Sequence, residues 1–134
     1  MAASADLFAE AAIFDQSLRM EAAELQRRNG RYYRALLLNA AVSDQKDKYR
    51  QRLGILVAMQ SWEQVALMGD ALRRNGLLEE DDIRYAYAYS LFKTGDYQMA
   101  GQVLSAVSRG EAFRRATALR QAMERCREAR WQCM

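Results

Sequence analysis

The chain contains no proline in 134 residues. A domain of this length ordinarily uses several, at turns and at strand edges. Without them, changes of direction fall to Gly, Asn, Asp and Ser, and nothing interrupts a helix from within. The residues between the turns are mainly Ala, Leu, Arg, Gln, Glu and Met, all strong helix formers. The expectation is an all-α chain folded as one domain over 1–134. Histidine is also absent, which removes Ser-His-Asp and Cys-His nucleophiles and His-ligated zinc. With no Gly-rich phosphate loop and no spaced ligand set, no catalytic residue, metal or cofactor is assigned. A binding or scaffolding role is expected rather than an enzyme.

Turn signals divide the chain regularly. Asn29-Gly30, Asn75-Gly76 and Thr94-Gly95 each follow a helix-like segment, where glycine supplies the left-handed residue that closes the last turn. Ser61 with Gln64, and Ser108 with Glu111, read as capping boxes, and Asp96 as an N-cap. Helices are expected at about 5–14, 17–28, 31–42, 44–59, 62–74, 80–93, 97–107 and 110–131, the first continuing into or preceding the second. Loops of two to five residues make successive helices antiparallel neighbours. Residues 83–91 alternate (Ile83, Tyr85, Tyr87, Tyr89, Leu91), which is also a strand pattern. The intervening Ala86 and Ala88, and the lack of a sheet partner, favour helix.

The net charge of +3 is concentrated at one end, since residues 109–134 carry seven Arg against three Glu. These arginines spread around the last helix instead of forming a stripe, so nucleic acid is not the expected partner. One apolar seam, Ala112, Ala116, Leu119, Met123 and Cys126, runs along that helix. Cys126 and Cys133 are seven residues apart, a rise of about 10.5 Å within one helix, too long for a disulfide there. Cys126 is therefore expected as a small core residue. The acidic run Glu79–Asp82 suits a helix N-terminus better than a calcium site. No run approaches the ~20 apolar residues of a membrane span. The first residues lack the basic start and long apolar stretch of an intact signal peptide. The expected compartment is the cytoplasm, or the periplasm for a mature or truncated chain.

The segment from Ile83 to Ala100 resembles a tetratricopeptide repeat. Tyr87-Ala88 supply the large–small pair, Leu91 the large residue three later, Gly95-Asp96-Tyr97 the turn, and Ala100 the small residue beyond it. Leu53-Gly54, Val57 and Ala66 precede their counterparts by 34 residues, the family's period. A shorter copy holds Ala22-Ala23, Gly30-Arg31-Tyr32 and Ala35. Gly54, Ala66, Ala88 and Ala100 would let paired helices approach closely. Over residues 17–107 the resemblance implies three helical pairs stacked as a short right-handed superhelix, closed by the helix at 110–131.

It also implies a concave groove lined by the first helix of each pair. There the residues would be Tyr85, Tyr89 and Phe92 with Asp82; Lys48, Gln51 and Ile55; and Met20, Glu24 and Arg27. Aromatic anchors with polar tips suit a peptide or helix of another protein, or a second copy. Tyr87 should point into the core, while Trp62 and Tyr97 should wedge between helices. Helical-repeat chaperones of bacterial secretion systems offer an analogy of size and fold. The alternative is a structural subunit of a larger assembly, such as a secretion or envelope complex, docking through Arg120, Arg127 and Trp131.

Overall fold

A computed structural model describes residues 16–107 and 110–129. Among these residues there are eight α-helices, one 3-10 turn and no strand. The helices are α1 (Gln16–Arg28), α2 (Tyr32–Ala40), α3 (Gln45–Ala58), α4 (Trp62–Ala66), α5 (Gly69–Arg74), α6 (Asp81–Lys93), α7 (Tyr97–Leu104) and α8 (Gly110–Glu128), with the 3-10 turn at Leu77–Glu79. The expected helix at 5–14, the cap at Ser108, Trp131 and Cys133 lie outside the described residues. The chain divides into two compact units, one ending at Ser61 and one beginning at Trp62.

In the first unit α1 and α2 form a hairpin, and α3 packs on both. The turn after α1 closes as a Schellman motif: Arg31 N–H donates to the Gln26 carbonyl and Gly30 N–H to that of Arg27. Gly30 is left-handed, with φ 74°. Arg19, in the first turns of α1, donates to the carbonyl of Ala41 just past α2, at 3.0 Å. That contact fixes the two helices as antiparallel. An amide pair, buried Asn39 and half-buried Gln51, joins all three helices. Asn39 Nδ2 donates to the Lys48 carbonyl (2.9 Å) and to Gln51 Oε1 (3.1 Å). Gln51 Nε2 donates in turn to the Met20 carbonyl at 2.7 Å. Ala22, Ala23, Ala35, Val42, Leu53, Ile55 and Leu56 fill the space between.

The second unit repeats this plan. α6 and α7 form a hairpin, α8 packs on both, and α4 packs on α6. Asp96 N–H donates to the Leu91 carbonyl, and Gly95 N–H to that of Phe92, around a Gly95 of φ 90°. Arg84, in the first turn of α6, donates to the carbonyl of Ala106 just past α7, at 3.2 Å. Arg19 and Ala41 precede Arg84 and Ala106 by the same 65 residues that separate Gly30 from Gly95. Buried positions follow this offset: Ala23 with Ala88, Ala35 with Ala100, Val42 with Val107. The expected N-cap at Asp96 is present, its Oδ1 accepting from Met99 N–H at 3.2 Å. The alternating segment 83–91 is helical, within α6.

Three expectations change. The helix expected at 62–74 is interrupted: Met68 N–H bonds three residues back to Val65, and α5 restarts at Gly69. Gly69 is buried against Tyr87, and a Cβ there would stand 2.9 Å from Tyr87 Cζ. It is thus Gly69 that admits a large residue to the second core. Gly54, expected in that role, is exposed, with nothing within 4 Å of an added Cβ. The reason is register. α3 closes at Gln60, itself left-handed at φ 57°, with Ser61 N–H donating to the Leu56 carbonyl. This matches Gly95 and Leu91 at an offset of 35, not 34. Leu53, not Gly54, then corresponds to Ala88, and Trp62 to Tyr97.

The third change concerns sulfur. Cys126 is buried in the seam with Ala116, Leu119 and Met123, as expected. It is nevertheless disulfide-bonded, and the sequence holds one other cysteine. The helical-rise argument holds only along an unbroken helix, and α8 ends at Glu128.

Candidate partner-binding faces

The residues expected in the groove belong to both units: Tyr85, Tyr89, Phe92 and Asp82 to the second, and Lys48, Gln51, Ile55, Met20, Glu24 and Arg27 to the first.

In the second unit, α6 presents Tyr85, Tyr89 and Phe92 along one side, since positions four and three apart share a helix face. All three are half-buried. Tyr85 and Tyr89 stack at 6.2 Å between ring centroids, 29° apart. Trp62, from α4, meets Tyr89 edge-on at 5.0 Å and 71°. Phe92 lies 6.2 Å from Tyr89 and 5.6 Å from Tyr97 of α7. Five rings from three helices therefore form one continuous surface. Each such pair contributes about 0.5–1.5 kcal/mol beyond the area it buries. Lys93 holds its Nζ 5.6 Å from the Tyr89 ring centroid, a cation over the edge of the surface. Partial burial pushes the Tyr85 hydroxyl above the usual tyrosine range, the neighbouring Tyr89 adds to this, and Arg115 of α8 opposes it. Arg115 is itself paired with Glu111 at 3.1 Å. Asp82 is exposed in the first turn of α6.

Sequence reasoning separated Trp62 and Tyr97 from the groove as wedges. They do pack between helices, but they also extend the same aromatic surface. Their shared position, two residues after the left-handed closing residue, was the available signal, and the 34-residue register concealed it. Lys93 and Arg115 were not anticipated.

The first unit carries a different face. A shallow cleft of about 350 Å³ is lined by Met20, Glu21 and Glu24 of α1 and Asp47, Arg50 and Gln51 of α3. Met20 and Glu24 correspond to Tyr85 and Tyr89 at the 65-residue offset. Asp47 and Arg50 correspond to Asp82 and Tyr85 at the 35-residue offset. The cleft therefore marks the same side of the repeat, with charges in place of rings. Ile55 is not part of it: it is fully buried because it corresponds to buried Ser90. Gln51 lines the cleft but has both ends of its amide tied into the unit. Lys48 is half-buried, and its carbonyl accepts from Asn39. Arg27 is clamped by Glu24 through Nε to Oε2 (2.9 Å) and Nη2 to Oε1 (2.6 Å). Arg28 adds a third bond to Glu24, at 3.0 Å. The Arg27 hydrogen bond, with that from Arg28, holds the Glu24 carboxyl below its ordinary range against the opposing effect of burial.

On α8, Arg120 is half-buried, and Arg127 is exposed with Nη1 3.5 Å from Glu124. Phe113 is exposed beside Arg114. Among the described residues no cluster of acidic or cysteine side chains could hold a metal ion, and no helix is long and apolar enough to cross a membrane.

Compared with family models, curated proteins and solved structures, the chain matches none of them.

Proposed function

We propose that this chain is a non-catalytic interaction module of the tetratricopeptide type. Its pairs would stack as a short right-handed superhelix with α8 as the closing helix. It binds a peptide or helical segment of another protein across the aromatic surface of α6, acting as an adaptor or as a chaperone for that partner. The observation that carries this reading is the continuous run of half-buried rings from Tyr85 through Tyr89 to Phe92 and Tyr97, buttressed by Trp62. Rings held by one another lose little freedom on binding and offer apolar faces with polar hydroxyl tips, the composition of binding hot spots. Lys93 over the Tyr89 ring places positive charge beside the rings, which favours a partner with an acidic residue next to its apolar centre.

The test begins with a partner captured from the native source and identified by mass spectrometry. Its affinity is then measured for the wild type and for the Tyr85→Ala, Tyr89→Ala double variant. A loss of about 2 kcal/mol or more, roughly thirtyfold, is expected. Unchanged affinity in a variant with native circular dichroism refutes the reading. Exposed Phe113, beside the arginines of α8, favours the second reading, docking of a structural subunit through that helix. In that case Phe113→Ser weakens assembly and the tyrosine pair does not.

A further inference from the structure

The aromatic surface of α6 carries polar atoms that the fold leaves unused. Tyr85, Tyr89 and Tyr97 each bring a hydroxyl, and Trp62 brings an indole N–H. None of these four groups hydrogen-bonds to another described residue, and none is shut off from solvent. Other polar side chains along α6 are tied into the chain. Arg84 donates to the Ala106 carbonyl, Ser90 to that of Ala86, and Thr94 to those of Ser90 and Leu91. Trp62 and Lys93 can only donate, and a tyrosine hydroxyl donates as well as accepts. The five rings and Lys93 thus include no side chain that only accepts.

A ligand suited to this surface offers apolar faces to the rings and free acceptors to the donors. Peptide conformations differ in this respect. A helix spends its carbonyls on its own N–H groups, except in the last turn. A β-strand brings N–H groups along with its carbonyls and docks on a sheet edge, and the described residues contain no strand. A polyproline II segment has no internal hydrogen bonds, and each proline in it has a carbonyl but no N–H. Such segments dock on aromatic-lined surfaces, and their stiffness lowers the entropy lost on binding. Charge adds a direction. Lys93 lies 5.6 Å from the Tyr89 ring centroid, near the end of α6, while Asp82 is exposed in its first turn. An acidic residue on the ligand is drawn to the first and repelled by the second.

Resting on the reading of this surface as the partner site, we propose that its ligand is a proline-rich segment of another protein in polyproline II conformation, with an acidic residue at the end that meets Lys93. Its proline rings lie on the faces of the aromatic run. Its carbonyls accept from the tyrosine hydroxyls and from the Trp62 indole N–H.

Titration calorimetry of the full chain with end-blocked synthetic peptides tests this. The probes are octaproline, octaproline with one glutamate added before or after it, and a longer amphipathic helical peptide with leucines along one face. Octaproline is expected to bind about tenfold more tightly than the helical peptide. The Tyr85→Phe, Tyr89→Phe double variant keeps both rings and removes both hydroxyls. With native circular dichroism, it should bind octaproline about fivefold more weakly. One of the two glutamate peptides should bind about threefold more tightly than octaproline, and Lys93→Ala should remove that gain. No binding of octaproline, equal or tighter binding of the helical peptide, or an affinity that the double variant does not change overturns the proposal. So does a glutamate that brings no gain at either end, or a gain that survives Lys93→Ala. The captured partner's loss of affinity in the Tyr85→Ala, Tyr89→Ala variant is measured separately. If that loss is found and octaproline fails, the proline assignment falls and the α6 reading stands.

Discussion

Gly69→Ala gives the sharpest test of how the second core is packed. The substitution usually favours a helix, by up to ~1 kcal/mol in a helix interior. Here the added methyl would stand 2.9 Å from Tyr87 Cζ and closer still to the hydroxyl oxygen. Tyr87 is only 6% exposed and sits in α6 between α5 and the core, so its ring has little room to retreat. Overpacking of this kind costs ~1–3 kcal/mol. Position 69 begins α5, where the propensity gain is small, so the net expectation is a loss of about 1–2 kcal/mol. In urea, with a slope of ~1–3 kcal/mol per molar, the midpoint falls by about 0.5–1 M. Tyr87→Phe removes the atom in closest approach. In the Gly69→Ala background it should recover about half of the loss, a coupling of roughly 1 kcal/mol in a double-mutant cycle. A Gly69→Ala protein as stable as wild type, or strict additivity with Tyr87→Phe, refutes the reasoning.

Three further outcomes follow from other contacts. Asn39→Asp puts a carboxylate where an amide donor faced two acceptors, the Lys48 carbonyl and Gln51 Oε1. It should cost about 2–4 kcal/mol at neutral pH and less at pH 4, where the new group is protonated, read by thermal unfolding at both pH values. Gln60→Gly relieves a non-glycine residue at φ 57° and should raise stability by about 0.5–1 kcal/mol in the same assay. Burial raises the hydroxyls of Tyr85 and Tyr87 above the ordinary tyrosine value. A raised folded value means that the neutral form is favoured in the fold. Their contribution is therefore complete below pH 10 and is lost as pH climbs through the folded values. Absorbance at 295 nm should show these tyrosines ionising late, with stability falling over the same range and falling less in Tyr87→Phe.

Local chemistry made most of the helices readable in advance. Chain stretches rich in Ala, Leu, Arg and Gln, closed by Gly30, Gly76 and Gly95 and capped by Asp96, depend only on neighbours a few residues away. The apolar seam of α8 and the inward side of Tyr87 also follow from helical spacing. Even the aromatic positions Tyr85, Tyr89 and Phe92 could be placed on one side of α6. The end of α3 was legible to within a residue, 59 against Ala58, but the repeat register across it was not, because Gln60 takes a left-handed conformation that sequence assigns to glycine. That single residue moves the repeat from 34 to 35 positions, and with it Ile55 into the core and Gly54 out to solvent.

What tertiary structure decided is which side chains meet across elements. That Gly69 receives Tyr87, that Asn39 and Gln51 join three helices, and that Trp62 and Tyr97 complete one aromatic surface are contacts between residues distant in the chain. Periodicity assigns a residue to a helix face but not to the neighbour that covers it. That choice depends on the volumes and polar partners brought together when helices pack.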